Sequence, residues 1–323
     1  MNKQMIRYVL GLVLLIEGAL LLLPLAVALL YREASWIYFI ATIGVCLALG
    51  GCMTLRKPQR RALFPKDGFV IAALSWIVIS LVGALPFCLS GQIPRYIDAL
   101  FEMISGFTTT GSSILTQVEA LDHGMLFWRS FSHWVGGMGI LVFMLALLPA
   151  MGGATIHILR AESPGPSVGK VVPKIRDSAK ITYEIYLALT VLLVILYLAG
   201  GMSLFDSLCI AFGTAGTGGF AVRTSSCAEY SPYIQTVTTI FMILFGVNFT
   251  VYFLLLQRKF RQALRSSELW TYLGVILVAT LAISLNIFRS MSSFGQAVHH
   301  AAFTVSSLIT TTGYGTCLLY TSP

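Results

Sequence analysis

Seven apolar runs in this chain are long enough to cross a bilayer, and three more are too short. Each short run ends in a threonine–glycine turn. The long runs cover roughly 8–30, 36–55, 68–89, 126–149, 183–200, 234–256 and 269–288. Each approaches the ~20 residues a helix needs to span the hydrocarbon layer. The short runs are 93–107, 204–214 and 294–308. A helix rises 1.5 Å per residue, so a run of about a dozen residues reaches roughly halfway through a ~30 Å core. Non-helical backbone at that depth survives only when buried in protein or lining a wet cavity. A half-helix followed by an irregular turn therefore predicts a re-entrant loop.

The turns are Thr108-Thr109-Thr110-Gly111-Ser112, Gly216-Thr217-Gly218-Gly219 and Thr310-Thr311-Thr312-Gly313-Tyr314. Gly111 and Gly218 are 107 residues apart, Gly218 and Gly313 are 95 apart, and the first and third segments align without a gap. The plan of span, half-helix, turn and span runs from 68–89 to 126–149, recurs from 183–200 to 234–256, and begins again at 269–288. The predicted fold is an all-α integral membrane protein: repeated helix–re-entrant loop–helix units around a pore, preceded by two extra N-terminal helices. Its expected parts are 1–62 (two N-terminal transmembrane helices), 63–155 (first pore repeat), 156–262 (second) and 263–323 (an incomplete third).

Composition agrees. The chain is 57% hydrophobic and 11% charged, against about 25% charged in soluble domains. Its net charge of +8 does not call for nucleic acid, because the basic residues sit at one set of segment ends. One side holds sixteen: Lys3, Arg7, Arg56, Lys57, Arg60, Arg61, Lys66, Arg160, Lys170, Lys174, Arg176, Lys180, Arg258, Lys259, Arg261 and Arg265. The other holds five: Arg32, Arg95, Arg129, Arg223 and Arg289. The positive-inside rule predicts a cytoplasmic N-terminus and places all three turns on the external side. The six cysteines show no C-x-x-C pair or zinc-finger spacing; most fall in apolar runs, where they read as small buried hydrophobes.

A repeated threonine–glycine turn in a membrane points to backbone carbonyls that replace the water around a passing cation. Glycine suits it because successive carbonyls must point one way, which needs φ values other residues resist. Threonine adds a hydroxyl that can brace the strand or ligate. Each half-helix, entering from outside, would aim the negative end of its dipole at the membrane centre. The competing reading is a surface loop, since these are ordinary turn residues; three turns in register after three half-helices favour the pore.

Other candidates have plainer readings beside them. Gly136-Gly137-Met138-Gly139 reads as close helix packing beside the pore. Asn248, placed in the middle of the sixth span, is either functional or bonded to a neighbouring helix. Glu102, Asp98 and Asp206 could attract cations, although Asp98 and Asp206 also suit helix N-termini. His133, His299 and His300 read as packing or interfacial groups. Gly165-Pro166-Ser167-Val168-Gly169-Lys170-Val171 fails as a phosphate loop, with three residues between its glycines and Val171 after the lysine. The connection 151–180 is a polar cytoplasmic segment suited to a soluble partner or anionic lipid. No Ser/His/Asp, Cys/His or HExxH constellation is present, and no enzymatic activity is expected.

At Phe107–Ser113, Ser132–Gly139, Arg160–Pro166 and Gly216–Phe220 the chain resembles the Trk/Ktr/HKT superfamily of potassium transporters, and within it the bacterial TrkH branch. The resemblance extends from residue 1 to about 316. It implies four helix–half-helix–helix repeats around one pore, each giving one filter strand, and K+ as the transported ion with no organic cofactor. Carried onto this sequence, the filter is Thr109, Thr110, Gly111 and Ser112; Gly216, Thr217, Gly218 and Gly219; and Thr311, Thr312, Gly313 and Tyr314. The K+ ligands would be Thr110, Gly111, Thr217, Gly218, Thr312 and Gly313. It further implies a multi-pass protein of the bacterial inner membrane, a homodimer, and a cytoplasmic ring of nucleotide-binding subunits of TrkA type. The fourth repeat is expected to be missing, and Cys317–Pro323 do not resemble the family. Two alternatives stand beside potassium uptake: a sodium-selective or sodium-coupled transporter of the same build, and a non-conducting fragment.

Overall fold

The computed structural model describes residues 2–58, 65–139 and 175–316. Among them there are helices and no β-strand. The chain divides into two units, residues 1–180 and 181–323.

In the first unit, helix Lys3–Leu20 starts at Asn2, whose side chain accepts the Met5 N–H. After the single residue Leu21 it continues as Leu22–Leu30. Helix Trp36–Thr54 returns alongside. The pair touch where Gly11 and Gly50 meet: a Cβ on Gly11 would come within 2.9 Å of the Gly50 carbonyl oxygen, the close approach small residues permit between membrane helices. Pro65–Gly83 and Leu85–Leu89 form the next span. The buried Trp128 indole donates to the Gly83 carbonyl at 3.0 Å, satisfying an acceptor at the break. The first half-helix is Tyr96–Phe107 and the helix after its turn is His123–Gly137.

That last helix is capped from outside its own repeat. Glu33, in the N-terminal hairpin, accepts the His123 N–H at 2.7 Å and the Gly124 N–H at 2.9 Å. A carboxylate there meets orphan donors and the positive end of the helix dipole. The hairpin thus braces the helix His123–Gly137 that follows the first turn. The expected fourth span, 126–149, is described only as far as Gly139.

The second unit holds the rest of helix Ile175–Ala199, then Leu204–Ala215, Pro232–Gly246, Phe249–Leu256, the short Phe260–Ala263, Ser267–Ile287 and Phe294–Ile309. Ser203, Ser231, Asn248, Ser266 and Ser293 each cap a helix here with a side-chain oxygen, as short polar residues do. Apolar side chains along Ser267–Ile287, including Leu277, Val278 and Leu285, are exposed, which suits contact with lipid tails.

The sixth expected span, 234–256, is not continuous. Pro232–Gly246 and Phe249–Leu256 meet at 86°. Backbone groups freed at such a break need partners in an apolar setting. Two tyrosines supply them: the Tyr252 hydroxyl donates to the Leu244 carbonyl at 2.6 Å and the Tyr272 hydroxyl to the Ile243 carbonyl at 3.1 Å. Asn248 is therefore a cap and not a mid-span polar group. Its side chain accepts the Thr250 N–H at 2.9 Å and donates to Glu268 at 3.2 Å. Asn248→Ala should lower stability by about 1 kcal/mol, read as a fall in Tm of the detergent-solubilised protein, with Asn248→Ser closer to the parent.

Candidate ion-conducting site

The three half-helices end in the same way. Thr109, Thr217 and Thr311 have φ of 54°, 52° and 59°. Two residues further on, Gly111, Gly219 and Gly313 have φ of 77°, 76° and 84°. Left-handed backbone suits glycine and is a genuine outlier for a β-branched residue. Around each threonine the hydrogen bonds form a Schellman closure. The Thr110 N–H reaches back to the Ser105 carbonyl at 2.9 Å, Gly218 to Gly213 at 3.0 Å and Thr312 to Ser307 at 2.9 Å. The Thr109, Thr217 and Thr311 N–H groups bond Gly106, Thr214 and Leu308, each at 3.1 Å. The helix ends abruptly, and the chain leaves it in a fixed direction three times over.

This conformation sets the register. Gly219, and not Gly218, occupies the position of Gly111 and Gly313; Gly218 occupies that of Thr110 and Thr312. The spacing read from sequence was one residue off in the second turn, because Gly216-Thr217-Gly218-Gly219 offers two candidate glycines. The fourth positions are then Ser112, Phe220 and Tyr314. Hydroxyls brace two of the turns: Thr108 bonds Thr110 and Thr310 bonds Thr312, each at 2.8 Å. The second turn has Gly216 and Gly218 at these places and lacks the brace.

The second and third turns touch through their backbones. A Cβ built on Gly219 would overlap the Thr312 carbonyl oxygen. No side chain separates the two strands at that level. The first turn lies in the other unit and has its own support. Glu102, fully buried on the half-helix, accepts the Ser113 hydroxyl at 2.8 Å and the Ile114 N–H at 3.1 Å. It also pairs with the equally buried Arg129 at 2.6 Å. Residues just past the first turn are thereby tied to the helix before it and the helix after it. Glu102 is a brace and not a lure for cations, and Arg129 is a buried partner instead of a charge marking the membrane face. Without Arg129 the basic count still stands at sixteen against four.

Gly136 packs directly on the first turn. A Cβ there would overlap the Phe107 carbonyl oxygen and lie 3.0 Å from Thr109 Cγ2. His133, also buried, hydrogen-bonds the Ser105 backbone, whose carbonyl accepts the Thr110 N–H. His299 bonds Gln235 at 2.8 Å and His300 bonds Thr316 at 3.0 Å. Asp98 lies 3.8 Å from Arg95. Asp206 accepts the Tyr230 hydroxyl at 3.2 Å and lies 3.7 Å from Arg223. Neither acid caps its helix: Ser203 does so in the second repeat, and the first has no side-chain cap bond. A hydrogen bond to Glu229 raises the Arg223 pKa above its ordinary value. Among the described residues no three His, Cys, Asp or Glu side chains gather as a metal site. The Gly165–Val171 segment and most of the 151–180 connection lie outside the described residues.

Known proteins place this geometry in a family. Residues 37–319 match the family model TrkH, cation transport protein. The Trk system potassium uptake protein TrkH of Halomonas elongata is 33% identical, over 100% of this chain and 68% of its own length. Its Escherichia coli counterpart is 35% identical, over 98% and 67%. The crystal structure of the potassium transporter TrkH from Vibrio parahaemolyticus superposes with a TM-score of 0.82 at 30% identity, covering 98% of this chain and 66% of that one. The chain spans about two thirds of the length of these relatives. It belongs to the TrkH family of cation transport proteins.

Proposed function

We propose that residues 109–112, 217–220 and 311–314 are three strands of a potassium-selective filter, and that the protein takes up K+ across a bacterial inner membrane. The observation that carries this is the thrice-repeated left-handed threonine with a left-handed glycine two residues on. Such a turn projects consecutive carbonyls from the end of a half-helix whose dipole favours a cation. The close approach of the Gly219 and Thr312 backbones supports reading them as adjacent strands of one ring. The relatives named above are potassium uptake proteins, which supports K+ as the cargo. In the structural register the ion-facing levels are Thr110, Gly218 and Thr312, then Gly111, Gly219 and Gly313.

No bond is made or broken. Carbonyl oxygens replace the hydration shell, and selectivity follows from the size of the ring or from the number and field strength of its dipoles. The membrane potential contributes about 2.3 kcal/mol per charge per 100 mV. The basic residues support a cytoplasmic N-terminus. A homodimer on a nucleotide-binding ring of TrkA type belongs to the same reading, with the 151–180 connection as its docking segment.

Expression of the intact gene in cells lacking potassium uptake should restore growth at low K+. Protein present in the membrane without rescue would defeat the reading. Gly111→Ser should raise sodium uptake relative to potassium; an unaltered ratio would count against this filter assignment.

A further inference from the structure

Tyr314 holds the fourth position of the third turn and is 3% exposed. Its ring does not stay within its own repeat. The hydroxyl lies 3.1 Å from the Ile210 carbonyl oxygen and 3.2 Å from the Phe220 carbonyl oxygen. Ile210 belongs to the second half-helix, and Phe220 follows Gly219 in the second turn. One phenolic proton is thus shared between two acceptors of the neighbouring repeat. Room for it comes from Gly213, where a Cβ would overlap the Tyr314 hydroxyl.

The backbone end of Tyr314 is held too. The Ser307 hydroxyl donates to the Tyr314 carbonyl at 2.8 Å. The Gly315 N–H donates to Ser226 Oγ at 3.1 Å, and the Cys227 N–H to the Gly315 carbonyl at 3.0 Å. Behind the second turn a line of hydroxyls continues the support. Thr214 lies 3.4 Å from the Tyr197 hydroxyl, which is 2.8 Å from Thr238. This neutral network differs from the Glu102–Arg129 brace of the first repeat. The Glu102 position corresponds to Ile210 in the common register, and there the acceptor of the Tyr314 hydroxyl is a backbone carbonyl.

Resting on the potassium-filter reading, we infer that the Tyr314 hydroxyl is a specificity-positioning group that fixes the spacing between the second and third filter strands. A ring that holds its width resists closing on the smaller sodium ion; a ring whose strands drift does not. The Tyr314 hydroxyl meets the second strand at the Phe220 carbonyl, just beyond Gly219, so it acts by placing the strand.

The test uses the intact gene product carrying Tyr314→Phe, which removes one oxygen and keeps the ring. The ratio of potassium to sodium uptake should fall about two- to tenfold, the range one net hydrogen bond supplies, with the amount of protein in the membrane unchanged. In the purified protein, hydrogen exchange across residues 216–222 should quicken. Gly213→Ala, which displaces the hydroxyl from the other side, should reproduce both effects, and the two changes together should give less than their sum because they break one contact. Normal selectivity and normal exchange in Tyr314→Phe, in cells where the parent transports potassium, would overturn the inference and leave the potassium reading intact. A parent that moves no potassium would overturn the potassium reading instead; the exchange rates would then decide the strut alone, unchanged rates removing it.

Discussion

Arg129→Ala is expected to cost the fold about 3–5 kcal/mol, because it leaves the Glu102 carboxylate buried without its cation. The pair sits 2.6 Å apart with both side chains nearly inaccessible. Thermal unfolding in detergent should show a large fall in Tm, and proteolysis should open the segment after the first turn, since Glu102 also holds Ser113 and Ile114. The double change Glu102→Leu with Arg129→Leu should be far milder than the sum of the singles, because no charge is then stranded. A double variant as unstable as that sum would show that the pair does not act as a unit.

Gly219→Ala is the second large effect. The added methyl would overlap the Thr312 carbonyl oxygen, and the residue would be forced to hold φ near 76°. Both penalties fall on the same strand contact, so potassium uptake should drop by at least tenfold, on the scale of about 1.4 kcal/mol per tenfold. Gly218→Ala is the matched control. Its position carries a threonine side chain in the other two turns, so the loss should be much smaller. The reverse order of severity would restore the register suggested by spacing alone.

Much of this architecture was legible beforehand. The half-helices at Tyr96–Phe107, Leu204–Ala215 and Phe294–Ile309 follow from apolar runs that stop short of a full crossing. The turns follow from glycines placed just past those ends. What hid was side-chain company across distance. Glu102 and Arg129 stand 27 residues apart, and nothing local to either names the other. The register of the second turn was ambiguous because two adjacent glycines satisfy the same pattern, and threonine is an improbable choice for left-handed backbone. The break after Gly246 had a faint signal, an asparagine two residues past a glycine. That signal was outweighed by continuous hydrophobicity, since one of the two tyrosines that make the break tolerable, Tyr272, comes from a helix outside the span.

The left-handed threonines carry a further lesson for anyone wishing to graft one of these half-helix-and-turn loops onto another scaffold. Each turn holds a conformation disfavoured by about 1–3 kcal/mol, so a synthetic peptide of half-helix plus turn would relax to something else in solution. What must travel with the loop is the clamp that overrules the preference: in the first repeat, the Glu102–Arg129 pair and the bare Gly136 surface pressed against Phe107. A transplant carrying only the threonine–glycine string would reproduce the letters of the turn without its shape.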